Sequence, residues 1–126
     1  MEIREEQHNN IIIMAVEGKL DSVTSQGLED RILELIDTGT KKFILDFAQL
    51  DYISSAGLRV LLVAAKKLNT VAGKIVFTSM REDIKEIFNI AGLTEYYPIY
   101  RNRAEALAEM KDDDPGSNDS FEFELA

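Results

Sequence analysis

The chain has 126 residues, 45% of them apolar, with 14 basic against 23 acidic side chains and a net charge of −9. That is the length of one ordinary domain, with enough apolar content for a real core. The absence of cysteine excludes disulfides, thiolate catalysis and cysteine-held metal centres; a single histidine, His8, excludes a multi-histidine site, and the acidic balance argues against direct nucleic-acid binding.

The N-terminal stretch from Met1 to Glu6 is too charged for the apolar segment of a signal peptide. The longest apolar runs, Ile11 to Val16 and Val60 to Ala65, fall far short of a membrane span of about 20 residues. The expectation is a cytoplasmic protein without membrane association.

In chain order, Ile3 and its neighbours suggest a first, antiparallel strand, and Glu6 to Asn10 its turn, with Asn9-Asn10 as turn residues. Asn10 to Val16 is an isoleucine-rich run that suits a strand buried on both faces. Leu28, Ile32, Leu35 and Ile36 recur at helical spacing, with Asp21, Ser22 or Thr24 as candidate cap and Gly39 as the stop. Lys42 to Phe47 reads as a second buried strand, and the stretch from Ala48 to Gly57 as a loop. Leu58, Leu61, Leu62, Ala65 and Leu68 trace the next helix. Lys74 to Thr78 is a third buried strand, and Ser79-Met80-Arg81-Glu82 has the spacing of a capping box. It opens a helix carrying Ile84, Ile87 and Phe88, closed by Gly92. Tyr97 to Tyr100 is a short last strand, placed at an edge by Pro98. Asn102 caps a final helix carrying Leu107 and Ala108.

The chain divides near Met110. Residues 111–126 carry six acids and one lysine, interrupted by Pro115-Gly116, and read as an acidic disordered tail. Within it, Phe121 to Leu125 alternates with a period of two, the pattern of a segment that adds to a sheet edge. The body, residues 1–110, alternates strands and helices. That predicts an α/β fold: a small, mostly parallel sheet with an antiparallel N-terminal edge strand, packed against about four helices. Ligands and partners of such sheets meet the loops that leave the strands' C-terminal ends. Here those are Glu17 to Thr24 and Ala48 to Gly57.

The second loop ends in Ser54-Ser55-Ala56-Gly57, where a helix begins. A helix start leaves backbone N–H groups unpaired. A serine there either caps them, a contribution of roughly 1 kcal/mol, or carries a phosphate, which a helix N-terminus favours. Both readings stay open on local sequence. Gly57 either admits a second backbone at the first turn or serves helix–strand packing. A serine hydrolase fits poorly: the glycine two residues before Ser55 is replaced by Ile53, and His8, the one histidine, falls in the expected N-terminal hairpin turn and reads as solvated. Neither a Gly-x-x-x-x-Gly-Lys phosphate loop nor a Gly-x-Gly-x-x-Gly turn is present. Asp21 is a turn or capping residue, or a carboxylate that faces the serines and contacts a partner. Asp51 reads as a solvated charge. Asp46, in a buried-looking strand, is expected at its C-terminal rim or an edge rather than unpaired in the core.

Three blocks carry a resemblance: Val16 to Asp21 (VEGKLD), Phe43 to Leu62 (FILDFAQLDYISSAGLRVLL) and Gly73 to Leu93 (GKIVFTSMREDIKEIFNIAGL). In this order they resemble a STAS domain of the anti-sigma factor antagonist family, from about Ile3 to Met110. The resemblance implies no enzyme activity and no cofactor. It implies a partner switch. Unphosphorylated, such a protein binds an anti-sigma factor that is also a serine kinase, and a sigma factor is released. Serine phosphorylation lowers the affinity, and a PP2C-type phosphatase resets the state. The family's acceptor precedes the glycine by two residues, which is Ser55 here, with Ser54 as the rival. The family's preceding aspartate is replaced by Ser54, and Ala56 stands where Ser or Thr is frequent. Partner contacts are expected from Asp21, Ser54, Ser55, Ala56, Gly57 and Arg59. Two other readings are a STAS module in another stress-signalling or transport complex, and a domain that takes a small anionic ligand at the same helix start.

Overall fold

The computed structural model describes residues 1–95 and 97–112. The sequence proposed as a tail lies outside these from residue 113 onward.

Two strands open the chain. β1 (Glu2–His8) runs antiparallel to β2 (Ile11–Leu20), from Glu2 opposite Glu17 to His8 opposite Ile11. The turn between them is shorter than the Glu6-to-Asn10 stretch expected, since Glu6 to His8 pair within β1, and it holds Asn9 at φ 55°, a conformation that asparagine tolerates better than most residues. Helix α1 (Ser25–Asp37) follows, then β3 (Lys42–Asp46), β4 (Leu50–Ile53), α2 (Ser55–Asn69), β5 (Lys74–Thr78), α3 (Glu82–Ile90), a 3-10 turn (Leu93–Glu95), β6 (Ile99–Tyr100) and α4 (Arg103–Asp112). The sheet order is β1-β2-β3-β5-β6, with β4 attached to β2. Every pair except β1–β2 is parallel.

Alternation along the strands sorts the core into two layers. Met14, Val16, Phe43, Leu45, Ile75 and Phe77 face α1, α2 and α3 in the larger layer. There Phe77 lies with its ring centroid 5.5 Å from Phe47 and 5.3 Å from Phe88, in tilted and edge-on geometry, the arrangement aromatic quadrupoles favour. On the other face Ile11, Ile13, Ile44 and Val76 are covered by Ala106 and Met110 of α4. Burial on both faces explains why β2, β3 and β5 read as continuous apolar runs.

The thinner layer has ionic ties at its edges. Asp46, at the end of β3, accepts from Arg103 Nε at 2.6 Å and from the Ala48 N–H at 2.9 Å. Arg103 also reaches Glu6 on β1. Contact with Asp46 and Glu6 holds the guanidinium more firmly protonated than usual. At the other end of α4, Lys42 Nζ donates to the Met110 carbonyl at 3.2 Å. Asp46 therefore sits buried but paired at the strand's C-terminal rim, as the cost of an unpaired buried charge requires.

Three local expectations need correction. The stretch read as a loop after β3 contains β4, so strands and helices do not alternate strictly. Leu50 and Ile53 are buried while Asp51 and Tyr52 are exposed, a spacing without the period of two that marks a strand. The capping box at Ser79 does not form: Ser79 is left-handed at φ 63°, its hydroxyl donates to the Arg101 carbonyl, and Arg81 occupies the cap position. In α4 the buried residues are Ala106 and Met110, with Leu107 half-buried and Ala108 exposed. Asn102 does cap that helix, accepting from the Glu105 N–H at 2.9 Å.

Helix α2 crosses the β2–β4 pair at Gly57. A Cβ there would lie 2.8 Å from the Leu20 carbonyl oxygen and 2.9 Å from Leu20 Cγ. Gly57→Ala is expected to destabilise by about 1–3 kcal/mol, the range for overpacking, read as a lower urea midpoint at unchanged m-value. Arg103→Met, which strips Asp46 of its cation, is expected to cost about 1–3 kcal/mol. Combining it with Asp46→Asn should recover part of that loss; strict additivity in the double-mutant cycle would show that the two groups do not interact.

Candidate functional site

The site is built by the second half of β2. Its first half pairs with β3 from Ile11 to Ala15, and its second half pairs with β4, where Lys19 faces Tyr52 and Leu20 faces Ile53. The register shifts between Gly18 and Lys19, with Gly18 at φ 95°, a value glycine reaches without a Cβ penalty. The next residues along these parallel strands are Asp21 and Ser54. They leave the sheet side by side, and the Ser54 N–H donates to the Leu20 carbonyl at 2.9 Å. The segments that leave β2 and β4 thus share one rim, although Glu17 to Leu20, expected as part of the first loop, belong to β2.

At that rim the serines divide their work. Ser54 is the N-cap of α2: its backbone is extended and its Oγ accepts the Gly57 N–H at 3.2 Å. Ser55 is the first helical residue and is exposed. Among the described residues, no hydrogen bond engages its Oγ. Ala56 is half-buried. Gly57 is buried, and its missing side chain serves the approach to Leu20, so the packing reading of that glycine holds. Arg59 is exposed one turn beyond Ser55, on the same side of the helix at a spacing of four.

Asp21 is committed to its own loop. Its Oδ1 accepts from the Val23 and Thr24 N–H groups, both at 3.0 Å. The Thr24 hydroxyl accepts the Asp21 N–H at 2.9 Å and donates to the Lys19 carbonyl at 2.8 Å. Neither Asp21 nor Thr24 places a side-chain acceptor on the first turn of α1. The hydrogen bond from the Thr24 N–H, followed by that from Val23, lowers the Asp21 carboxyl below its ordinary value, with a smaller contribution from Lys19. Among the described residues, Asp21 makes no hydrogen bond to Ser54 or Ser55, so it shapes the rim rather than orienting a hydroxyl. Asp51 is exposed and pairs with Arg81 Nη1 at 3.1 Å, which links β4 to the start of α3.

At this rim Ser55 presents an exposed hydroxyl, and the histidine of the chain lies far from it. His8 pairs with Ile11 at the opposite end of β2. Nine residue steps separate that position from Leu20, about 30 Å at the rise of a strand. His8 itself is exposed and faces Glu6 at 3.8 Å. Among the described residues, no group of three His, Asp or Glu side chains is placed to hold a metal ion, and no helix is long and apolar enough to cross a membrane. Sequence reading missed Tyr52, an exposed aromatic beside the serines; its signal was hidden with β4.

The STAS domain model matches residues 2–106. A Bordetella bronchiseptica protein named as a candidate anti-sigma factor antagonist, BtrV, is 33% identical over 111 residues, spanning 88% of this chain and 96% of that one. The anti-sigma F factor antagonist of Paenibacillus polymyxa is 27% identical over 112 residues, with 88% and 96% covered. Among solved structures, the Bacillus cell fate determinant SpoIIAA in its phosphorylated form superposes with a TM-score of 0.72 at 20% identity, covering 86% of this chain and 99% of that one. The mixed sheet, its antiparallel first pair and its flanking helices are the STAS fold, and this chain belongs to the STAS domain family.

Proposed function

We propose that this protein is an anti-sigma factor antagonist that works as a phosphorylation switch at Ser55. Unphosphorylated, it binds an anti-sigma factor with serine kinase activity, and the sigma factor held by that partner is released. The kinase transfers a phosphoryl group to Ser55 Oγ, the complex weakens, and a PP2C-type phosphatase restores the hydroxyl. The names of the similar proteins support the partner class. The observation that carries the choice of acceptor is the division between the serines: Ser54 Oγ is engaged by the Gly57 N–H, whereas Ser55 is exposed.

The physical effect of the phosphate is local. It adds about −1.5 to −2 charges at the N-terminus of α2, where free N–H groups and the helix dipole favour an anion, within one turn of Arg59. The fold has no need to rearrange. In a complex the same group is desolvated and repelled by any facing carboxylate. A loss of ~3 kcal/mol weakens binding more than a hundredfold.

Phosphopeptide mass spectrometry on the protein from its own cells, during growth and under stress, is expected to find a condition-dependent phosphate on Ser55. Phosphate on Ser54 alone would move the acceptor, and phosphate on neither at full peptide coverage would sink the switch. Ser55→Ala should abolish the modification and keep partner binding, while Ser55→Glu should bind weakly. Ser54→Ala should keep the phosphate on Ser55 yet lose about 1 kcal/mol of stability with its cap, read by denaturant titration.

A further inference from the structure

We propose that Val23 and Tyr52 are the apolar anchors by which this protein holds the partner that reads Ser55, a proposal that rests on the function argued above. Among the described residues, the exposed large apolar side chains are Met1, Val23, Tyr52 and Ile90. Val23 is 84% exposed and Tyr52 49%. These two belong to the two segments that form the serine rim, and a single residue joins them. Tyr52 faces Lys19 across the β2–β4 pair. The loop carrying Val23 is tied back to the Lys19 carbonyl through the Thr24 hydroxyl. Ser55 follows Tyr52 by three residues.

Neither side chain is exposed by looseness. The Val23 N–H is taken by Asp21 Oδ1, and the same oxygen takes the next N–H along. Val23 is therefore presented on a closed turn. Tyr52 sits in a strand whose flanking Leu50 and Ile53 supply the burial, so its own ring contributes little to the core. Backbone held in place before binding reduces the entropy lost on association. Aromatic anchors inside a charged border are the common energetic centre of protein interfaces. Charged residues adjoin these segments: Lys19 lies opposite Tyr52, Asp51 precedes it and pairs with Arg81, and Arg59 follows Ser55 by about one turn. Arg59 makes no ion pair among the described residues. The occupant is thus a folded protein with an apolar depression for the tyrosine ring and carboxylates at its edge to meet Lys19 and Arg59. A phosphate on Ser55 competes for Arg59 and faces those carboxylates, which joins the anchor and the switch in one contact.

The test begins with a photoreactive phenylalanine analogue at position 23, 52 or 90, one at a time, in the full chain in its own cells. Ile90 is 79% exposed on α3 and serves as the control. Mass spectrometry is expected to find the same kinase-fold protein joined at positions 23 and 52 and absent at 90. That protein, purified, is then titrated with the native chain, Tyr52→Ser, Val23→Ser, Ile90→Ser and Ser55→Glu. Tyr52→Ser should weaken binding about thirtyfold or more, and Val23→Ser more modestly. Ile90→Ser should bind as the native chain does, and all three serine variants should share its unfolding midpoint. Native affinity in a Val23→Ser, Tyr52→Ser double variant, with Ser55→Glu still weak, would overturn the anchors and leave the switch standing. A partner indifferent to Ser55→Glu, or no joined partner at any position, would overturn the switch and the anchors with it.

Discussion

The structure depends on one strand being longer than its first parallel partner. β2 spans ten residues, and β3 pairs with only its first half. The remaining N–H and C=O groups need partners, because unpaired backbone is costly wherever water is excluded. β4 supplies them over Gly18 to Leu20 after a short connection from β3. The shift beside Gly18 accommodates the change of partner. From that arrangement the site follows: β2 and β4 end in step, so Asp21 and Ser54 emerge together. Helix α2 must then start directly over the Leu20 carbonyl, which only a residue without a side chain permits, and Gly57 occupies that place.

What surrounds Ser55 is consequently well bonded. Ser54 spends its oxygen on the first turn of α2, Asp21 spends its carboxylate on its own loop, and Gly57 closes the contact beneath. The polar groups that sequence alone would enlist as chemistry are mostly occupied in holding backbone. The exposed hydroxyl is the residue left over, on a surface that the fold has already shaped. On the proposed switch, a phosphate there would change the charge at the start of α2 while the backbone contacts beneath it stay in place.

The sequence was most legible where burial is two-sided. Asn10 to Val16, Lys42 to Phe47 and Lys74 to Thr78 read as strands because both faces meet helices, and α1, α2 and α3 read as helices from their apolar stripes. It was least legible where short-range patterns compete with long-range pairing. β4 was hidden because Leu50 and Ile53 are spaced by three, and its identity as a strand comes from β2, some thirty residues earlier. The Ser79 capping box matched in spacing, yet the chain turns left-handed at Ser79 and sends the hydroxyl to Arg101 instead. Asp21 was read as a turn residue or as a carboxylate facing the serines and contacting a partner. Its Oδ1 accepts from the Val23 and Thr24 N–H groups, two and three residues away, so the turn is formed, and no hydrogen bond to Ser54 or Ser55 is present among the described residues. For the serines, the rim placement followed from topology, whereas which hydroxyl is free required the position of the Gly57 N–H.

Asp46 connects the two layers of the molecule. One of its oxygens accepts from Arg103, which fixes the start of α4 and reaches on to Glu6 of β1; the other accepts from the Ala48 N–H in the connection that leads into β4. The helix that covers the thinner layer and the turn that aims β4 toward β2 therefore share one buried carboxylate. Ala106 and Met110, with half-buried Leu107, supply the apolar contact of α4, and the ties from Arg103 to Asp46 and Glu6 add to it at the helix start. The same carboxylate constrains where β4 begins, and β4 in turn delivers Tyr52, Ser54 and Ser55 to the rim. A charge that a purely apolar core would exclude is thus retained at the junction where the second half of β2 acquires its partner.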